Sequence, residues 1–323
     1  MTASGVWTTA ARFATGLALA GPAAVLVAGA LKDRGAVFDL AFQFASPALT
    51  VAVVLALAAA ALRAPRLAGL AAAVCLGLWL SLRPQWSPEH PPALPTERPV
   101  VVYFANVFWE NHDVERIAAS VAEAKPDVVA MVEVTRPLAR NLDRLLPEHP
   151  YRTASSPSQR YENGPRTLIA SRWPVRVLAS ERRDGLAVVE AEVARPEGAL
   201  RVVAVHLTRP WPFDDPEAQS RQIERLTERL RADSTDRLIL VGDFNATPSG
   251  ALLSQFVEDT GLRPAPAVLG TWPEPAPAPL RIAIDNLFVG DGLTVESRRL
   301  GRPTGSDHRP IVALVAPVDP YGP

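Results

Sequence analysis

The part of this chain best suited to chemistry is a run of apolar residues that ends in an acid and an amide. Residues 238–241 (Leu-Ile-Leu-Val) predict a buried strand, and Gly242 is expected to let the backbone turn tightly after it. Asp243 and Asn245 follow two residues apart, where an extended backbone would point both side chains the same way. A carboxylate beside a carboxamide suits a hydrated metal ion or a phosphoryl group. The same residue types also form ordinary polar turns, so the motif needs support from the rest of the chain.

Three earlier strands are also predicted to end in polar residues. The strand at 100–105 leads to Asn106, the strand at 128–132 to Glu133, and the strand at 201–205 to His206. Helices are predicted between the strands, and α/β sheets place their sites at the carboxyl ends of strands. Glu133 could instead cap the next helix, since acids favour helix N-termini. His206 fits a structural role as well as a catalytic one.

The C-terminal part adds two acidic motifs. Asp285 and Asn286 interrupt a predicted strand at 282–289, and Asp307 with His308 precedes a closing strand at 311–315. Strands are also predicted at 166–171 and 186–194, and residues 262–280 are expected to form an irregular loop. Three leucines favour one helix after Glu133, and the loop 208–216 carries two aromatic residues that suit substrate, bilayer or ordinary loop packing (Leu138, Leu142, Leu145; Trp211, Phe213).

The composition excludes some classes of function. The formal net charge of the 323 residues is −1, so the strong basic field typical of nucleic-acid binding is missing. Cys75 is the single cysteine, which excludes an internal disulfide framework and a cysteine-based zinc site.

Apolar residues are concentrated near the N-terminus, in runs at 11–30, 38–62 and 67–82 separated by basic residues. A spanning helix needs about 20 apolar residues, so residues 1–83 predict a membrane anchor of about three helices. A soluble helical core and a cleaved signal peptide over the first run are the alternatives. The flanking basic residues tie between the two sides. Either an uncleaved anchor with its N-terminus inside or a cleaved signal leaves the following domain outside the cell membrane.

Residues 84–99 contain six prolines and predict a stiff linker that holds the next domain away from the bilayer. Residues 100–317 are then expected to form one catalytic domain.

Taken together, the polar motifs resemble the endonuclease/exonuclease/phosphatase superfamily over roughly residues 98–316. The resemblance is carried by Asn106 in Asn-Val-Phe-Trp, Glu133 in Val-Glu-Val, His206 in Val-His-Leu, Asp243 and Asn245 in Gly-Asp-Phe-Asn-Ala-Thr-Pro, Asp285 in Ile-Asp-Asn, and Asp307 with His308 in Ser-Asp-His-Arg-Pro. The apolar segment and proline linker are similar to those of a membrane-anchored bacterial branch associated with glycopeptide resistance (VanJ-like).

The resemblance implies an α/β four-layer sandwich, with two mixed sheets packed face to face and helices outside. It implies a divalent metal, Mg²⁺ with Mn²⁺ as an alternative, held by Glu133 with Asn106 and Asp307 nearby. Oxygen donors suit such a hard cation.

The same resemblance implies the catalytic roles. Asp243 would orient or deprotonate the attacking water, while Asn245 and His206 would bind phosphoryl oxygens. His308, paired with Asp285, would stabilise charge on the pentacoordinate phosphorus.

The chain departs from the family pattern at three positions. Asn286 stands where many members have histidine, and Phe108 stands where nucleases of the family often have an acid. Tyr161 is the one loose candidate for the family's tyrosine near the site, and no catalytic role is assigned to it.

These observations favour a metal-dependent phosphohydrolase acting on a membrane-borne phosphoester or pyrophosphate, such as a polyprenyl pyrophosphate. A phosphodiesterase of the nuclease or sphingomyelinase type would use the same site, although the near-neutral charge argues against nucleic acid as a partner. A non-catalytic membrane protein with a decayed site is the third hypothesis, and it is disfavoured because every expected polar position is filled.

Overall fold

The computed structural model describes residues 3–95, 97–154, 166–183, 186–210, 215–232 and 234–319. Tyr161, Trp211 and Phe213 lie outside these residues, so the expectations attached to them stay untested.

Four helices form the N-terminal part. They are α1 (Ala3–Leu31), α2 (Ala36–Phe42), α3 (Ala45–Ala61) and α4 (Pro65–Trp86). Among the described residues, two helices are long and apolar enough to cross a membrane, within Val6–Arg34 and Pro65–Trp86, and a third span results if α2 and α3, bent by 54° at their junction, count as one. Alanines such as Ala52, Ala59 and Ala71 are fully buried, which lets the helices approach closely. Large apolar side chains such as Leu57 and Leu76 face outward.

The remaining elements alternate strands with helices. The strands are β1 (Val100–Asn106), β2 (Val128–Val134), β3 (Tyr151–Ala154), β4 (Arg166–Ser171), β5 (Val175–Arg183), β6 (Leu186–Val193), β7 (Leu200–His206), β8 (Leu238–Asp243), β9 (Arg263–Pro264), β10 (Asp285–Val289), β11 (Leu293–Leu300) and β12 (Ile311–Pro317). The helices are α5 (Val114–Ala124), α6 (Arg136–Ala139), α7 (Leu142–Leu145), α8 (Pro216–Arg231) and α9 (Ala251–Thr260).

Within the described residues the strands form two six-stranded sheets. Their orders are β11-β12-β1-β2-β4-β3 and β5-β6-β7-β8-β10-β9. Each sheet contains one parallel pair, β1–β2 or β7–β8, among antiparallel neighbours. Apolar side chains from both sheets, including Val102, Val132, Val202 and Val241, form the central core. The outer faces pack against α5, α6 and α7 on one side and α8 and α9 on the other. The predicted four-layer sandwich of two mixed sheets is therefore confirmed.

Two local predictions were wrong. The single helix expected after Glu133 is divided into α6 and α7, since the Asn141 side chain donates to the carbonyl of Pro137 and ends the first turn; Leu138 and Leu145 are nevertheless buried. The strand expected from Ile282 begins only at Asp285, and Ile282 instead makes an isolated bridge to Trp272.

The proline-rich segment does not hold the two parts of the chain apart as expected. Pro84 lies inside α4, and the residues after it run along the second part of the chain. A ring nitrogen of His90 lies 2.9 Å from the Pro264 carbonyl oxygen, and the Leu94 amide donates to Pro317 over 2.8 Å. Prolines favour an extended path, but their carbonyls and the intervening residues still make hydrogen bonds to neighbouring strands.

Candidate active site

The two parallel strand pairs deliver polar side chains to one region between the sheets. In the first sheet, β1 ends at Asn106 opposite Val132, which places Glu133 one residue further along β2. In the second sheet, His206 at the end of β7 is in register with Asp243 at the end of β8. The structure therefore brings together residues that are far apart in the sequence.

Glu133 is positioned by an irregularity in β2. The pairing of β2 with β4 shifts register between Met131 and Val134, and Glu133 has a φ of 61°. Its carboxylate accepts from the Asn106 amide over 2.9 Å and from the Trp109 backbone N–H over 2.8 Å. The N-cap of α6 is Thr135, so helix capping does not explain Glu133.

Asp243 links the two sheets. Its Oδ2 accepts from Asn106 Nδ2 over 3.0 Å, and its Oδ1 accepts from the Asn245 backbone N–H over 2.9 Å. Gly242 lies within β8 instead of forming the predicted turn. A Cβ on Gly242 would clash with the Val205 carbonyl oxygen, so the close approach of β7 explains the glycine.

Asn245 also differs from its predicted geometry. Its φ is 49°, so the backbone after Asp243 is left-handed and not extended. The Asn245 side chain donates to the Leu207 carbonyl over 3.0 Å, and both Asp243 and Asn245 still line the same cavity. Asn286 donates to the carbonyls of Ala246 and Ala283 and thereby supports this turn from below.

His206 faces both carboxylates. Its Nε2 lies 3.7 Å from Glu133 Oε1 and 3.7 Å from Asp243 Oδ2. Ligand atoms of Glu133, His206 and Asp243 all lie within 4.8 Å of one another, as do those of Asp243, Asp285 and His308. A cation could be held by either group.

His308 and Asp285 form a buried pair. His308 Nδ1 lies 2.9 Å from Asp285 Oδ2, and His308 Nε2 lies 3.9 Å from Asp243 Oδ2. Burial alone would lower the pKa of His308, but the charge and hydrogen bond of Asp285 outweigh it and raise that pKa to about 10. Burial, with the charge of Asp285 added, raises the pKa of Asp243 to about 6. The cluster thus contains a cationic imidazole beside a carboxylate that can accept a proton near neutral pH.

Asp307 directly precedes His308, and its hydrogen-bond partner is a residue that the sequence did not single out. Asp307 Oδ2 accepts from the indole N–H of Trp272 over 3.0 Å. Asp307 Oδ1 is buried, makes no hydrogen bond within the described residues, and lies 4.0 Å from His308 Nε2. Trp272 lies in the segment predicted to be an irregular loop, and its isolation among prolines gave no signal of this contact.

These side chains line a cavity of about 470 Å³. Its polar wall contains Glu133, His206, Asp243, Asn245, Asp307 and His308. The cavity is also bounded by residues of α2 and the α2–α3 junction, namely Leu40, Gln43 and Phe44. The sequence did not predict this contribution, because the apolar segment was expected to lie apart from the site.

Solved structures share this fold. They include a mannosyl-6-phosphatase from Bacteroides thetaiotaomicron VPI-5482 (15% identity, TM-score 0.55, covering 67% of this chain and 99% of that one). Sphingomyelinase C from Streptomyces griseocarneus (18%, 0.51, 68% and 99%) and D. rerio TDP2 complexed with a single strand DNA product (17%, 0.52, 68% and 99%) are similar as well. No curated protein matches the sequence.

The sequence match is to the Endonuclease/Exonuclease/phosphatase family and extends over residues 104–308. That range is more than half of the chain, and it begins in β1 and ends at His308. This protein therefore belongs to the endonuclease/exonuclease/phosphatase family.

Proposed function

We propose that the protein is a membrane-anchored, metal-dependent phosphohydrolase that cleaves a phosphoester or pyrophosphate bond of a lipid-linked substrate by in-line attack of water. The observation that carries the proposal is the meeting of carboxylates and imidazoles at a cavity whose wall includes Leu40, Gln43 and Phe44 of the N-terminal helices. A domain attached to such helices meets lipid head groups at high effective concentration.

The residues of the cavity fit a divalent cation. Glu133 and Asp307 present carboxylate oxygens, and the orphaned Oδ1 of Asp307 is a buried acceptor in need of a partner. Asn106 uses its amide nitrogen to hold Glu133 and Asp243, so its role as a direct ligand stays a prediction. Such a hard-donor set suits Mg²⁺ or Mn²⁺. The bound ion would act as a Lewis acid on the phosphoryl oxygens.

The protein's own groups would carry the remaining steps. Asp243, with its raised pKa, would accept a proton from the attacking water. Asn245 and His206 line the cavity on the same side and would bind non-bridging phosphoryl oxygens. The His308 cation, held by Asp285, would stabilise the charge that develops on the pentacoordinate phosphorus.

The helix arrangement supports opposite sides of the membrane for the N-terminus and the catalytic part. The Arg12 side chain donates to the carbonyls of Leu62 and Arg63, so these residues share one end of the bundle. Lys32 and Gln85 lie at the other end, in contact with the catalytic part. With the N-terminus inside, the site would face outward in a multi-pass protein of the cell membrane.

A phosphate-release assay tests the proposal. Purified full-length protein with Mg²⁺ is offered a polyprenyl pyrophosphate, a phospholipid and DNA, with EDTA and Glu133→Ala as controls. We expect release from the lipid-linked pyrophosphate that EDTA abolishes and that Glu133→Ala reduces at least about 100-fold, the usual effect of losing one strong electrostatic contact. No release from any lipid substrate would contradict the proposal.

A phosphodiesterase is the second candidate. It is favoured by the shared fold of sphingomyelinase C and of the DNA-bound TDP2. Phosphocholine release from sphingomyelin, or salt-sensitive DNA cleavage, would support it. The net charge of −1 offers little attraction for a nucleic-acid backbone.

A further inference from the structure

The junction between α2 and α3 forms part of the active-site cavity. The two helices meet at an angle of 54°, and the break lies at Gln43 and Phe44. Phe44 lines the cavity while 48% of its surface stays exposed, and Leu40 lines it one turn earlier. Within the described residues, two large apolar side chains thus lie beside a charged cluster without being fully buried: Leu40 is half-buried and Phe44 is exposed.

Polar contacts hold this junction against the chain segment that follows Asp243 and Asn245. The Thr247 N–H donates to Gln43 Oε1 over 2.5 Å, and the Ala251 N–H at the start of α9 donates to Asp39 Oδ1 over 2.7 Å. Gln43 is 93% buried, since only 7% of its surface is exposed. Because the buried Gln43 side chain satisfies a backbone N–H of the following part of the chain, the contact between the two parts is specific.

Lys32, directly after α1, and Gln85 on α4 contact the same short segment. Lys32 Nζ donates to the Ser249 carbonyl over 2.7 Å, and the Ser249 hydroxyl donates to Gln85 Oε1 over 3.0 Å. Gly250 fits this arrangement because a Cβ there would lie 2.8 Å from both Asp39 Oδ1 and Gln43 Nε2. These contacts fix the position of the N-terminal helices relative to residues 247–251, and that position places Leu40 and Phe44 at the cavity.

The cavity wall contains further apolar side chains. Phe108 and Trp109 line it, with their rings in an edge-to-face contact at 6.2 Å, and Trp109 is 55% exposed. A phosphoryl group bound at Glu133 and His308 would leave the rest of the substrate beside apolar surface.

We propose that Leu40 and Phe44 are specificity-determining residues that bind the hydrocarbon chain of the substrate. The proposal rests on the proposed function and deepens it, because it assigns chain recognition to the membrane-side helices and not to the catalytic fold. The ligand chemistry is a hydrocarbon chain linked to a phosphate or pyrophosphate, either an isoprenoid chain bonded to it directly or acyl chains linked to it through glycerol.

The test compares substrates with and without a chain. Full-length wild type, Leu40→Ala and Phe44→Ala are assayed in detergent on a polyprenyl pyrophosphate, on phosphatidic acid and on water-soluble inorganic pyrophosphate. Leu57→Ala is the matched control, because Leu57 lies on α3, is 68% exposed and is absent from the cavity wall. The preference ratio is kcat/KM for the chain-bearing substrate divided by that for inorganic pyrophosphate.

We expect Phe44→Ala to lower the preference ratio about 10-fold, mainly through KM. The truncated side chain would bury less of the hydrocarbon chain, and a loss of affinity of that size is typical of one large apolar contact. Phe44→Leu should restore most of the ratio, and Leu57→Ala should match the wild type. The two lipid arms show whether isoprenoid or acyl chains are bound.

Equal losses on all substrates would overturn the inference, because they indicate a positioning role only, and so would an unchanged ratio. In both cases wild-type hydrolysis of the lipid substrate leaves the proposed function standing. Wild type that cleaves no lipid phosphate at all contradicts the proposed function itself, which makes the two failures distinguishable.

Discussion

Replacing Asp285 by asparagine tests the proposed charge on His308. Asp285 is the group that lies nearest to the imidazole, at 2.9 Å, and its charge and hydrogen bond are the main causes that raise the pKa of His308 to about 10. Burial would remain in Asp285→Asn, and burial lowers this pKa. The charges of Asp243 and Asp307 would still oppose burial, so we expect the pKa of His308 to fall well below 10 in the variant and a larger fraction of the imidazole to be neutral at pH 8.

Two magnitudes follow. Loss of a charged donor to the phosphoryl group should lower kcat at pH 8 by about 10²–10³. Breaking the buried pair should also lower the free energy of unfolding of the metal-free protein by about 3–5 kcal/mol. Because the folded pKa of His308 lies above its unfolded value, this stabilisation is fully present below pH 6.5 and disappears as the pH rises towards about 10.

The assay combines three measurements. The pKa of His308 is read by NMR in EDTA, which is practical because the chain has five histidines. Urea unfolding at pH 6 and pH 9.5 gives the stability difference, and phosphate release with Mg²⁺ gives kcat. Asp291→Asn is the control, since Asp291 is 79% exposed, pairs with Arg263 and should contribute only about 0–1 kcal/mol. A His308 pKa that stays near 10 in Asp285→Asn would refute the reasoning.

Three further changes have expected outcomes. Gly242→Ala forces a Cβ against the Val205 carbonyl oxygen, so β7 and β8 must separate. We expect the free energy of unfolding in urea to fall by about 2–3 kcal/mol and the activity to fall with it. Asp243→Asn should be inactive, yet its free energy of unfolding above pH 6 should exceed that of the metal-free wild type by about 1–3 kcal/mol. The reason is that the pKa of Asp243 is raised in the folded state, so the wild type loses stability as the pH rises from 3.8 to about 6. Trp272→Phe removes the N–H donor to Asp307 and should weaken Mn²⁺ binding about 10- to 100-fold by calorimetry, whereas unchanged affinity would exclude Asp307 from the metal site.

The layers of the fold were predictable because their signals are local. Continuous apolar runs such as 238–241 identify strands that are buried on both faces, and the helix that contains Ile223, Leu226 and Leu230 buries these residues as its periodicity predicts. The edge strands β5 and β11 were missed because their charged, half-exposed sequences resemble loops. The predicted strand ends also identified the polar residues that meet at the site, since parallel neighbouring strands end at the same edge of a sheet.

The fine geometry of the site was not predictable, because it depends on contacts between distant segments. No local pattern shows that Glu133 occupies a bulge, or that Gly242 is required by Val205 on the neighbouring strand. The same holds for Trp272, whose partner Asp307 lies 35 residues away. The proline-rich segment differs from its prediction for a related reason. Composition indicates the stiffness of a segment, but not whether neighbouring strands place hydrogen-bond donors and acceptors beside it.

Backbone strain shows how much of the molecule is needed to hold the site. Among the described residues, five that are not glycine have positive φ, and three of them, Phe108, Glu133 and Asn245, line the cavity. Such conformations cost of order 1–3 kcal/mol each and persist only where the surroundings determine them. Glu133 is held by one hydrogen bond to Asn106 at the end of β1 and one to the Trp109 backbone in the following loop, and Asn245 is held by one to Leu207.

The segment after Asn245 is held from the other direction, by the N-terminal helices. Gln43 satisfies the N–H of Thr247, and Asp39 satisfies the N–H of Ala251, so two side chains of the α2 region fix both ends of the turn that leaves the site. These side chains are polar although they belong to an otherwise apolar segment, and burial of polar groups is favourable only where they are paired. Asp39 and Gln43 therefore hold the end of α2 against this turn, and Phe44, which directly follows Gln43, lines the cavity.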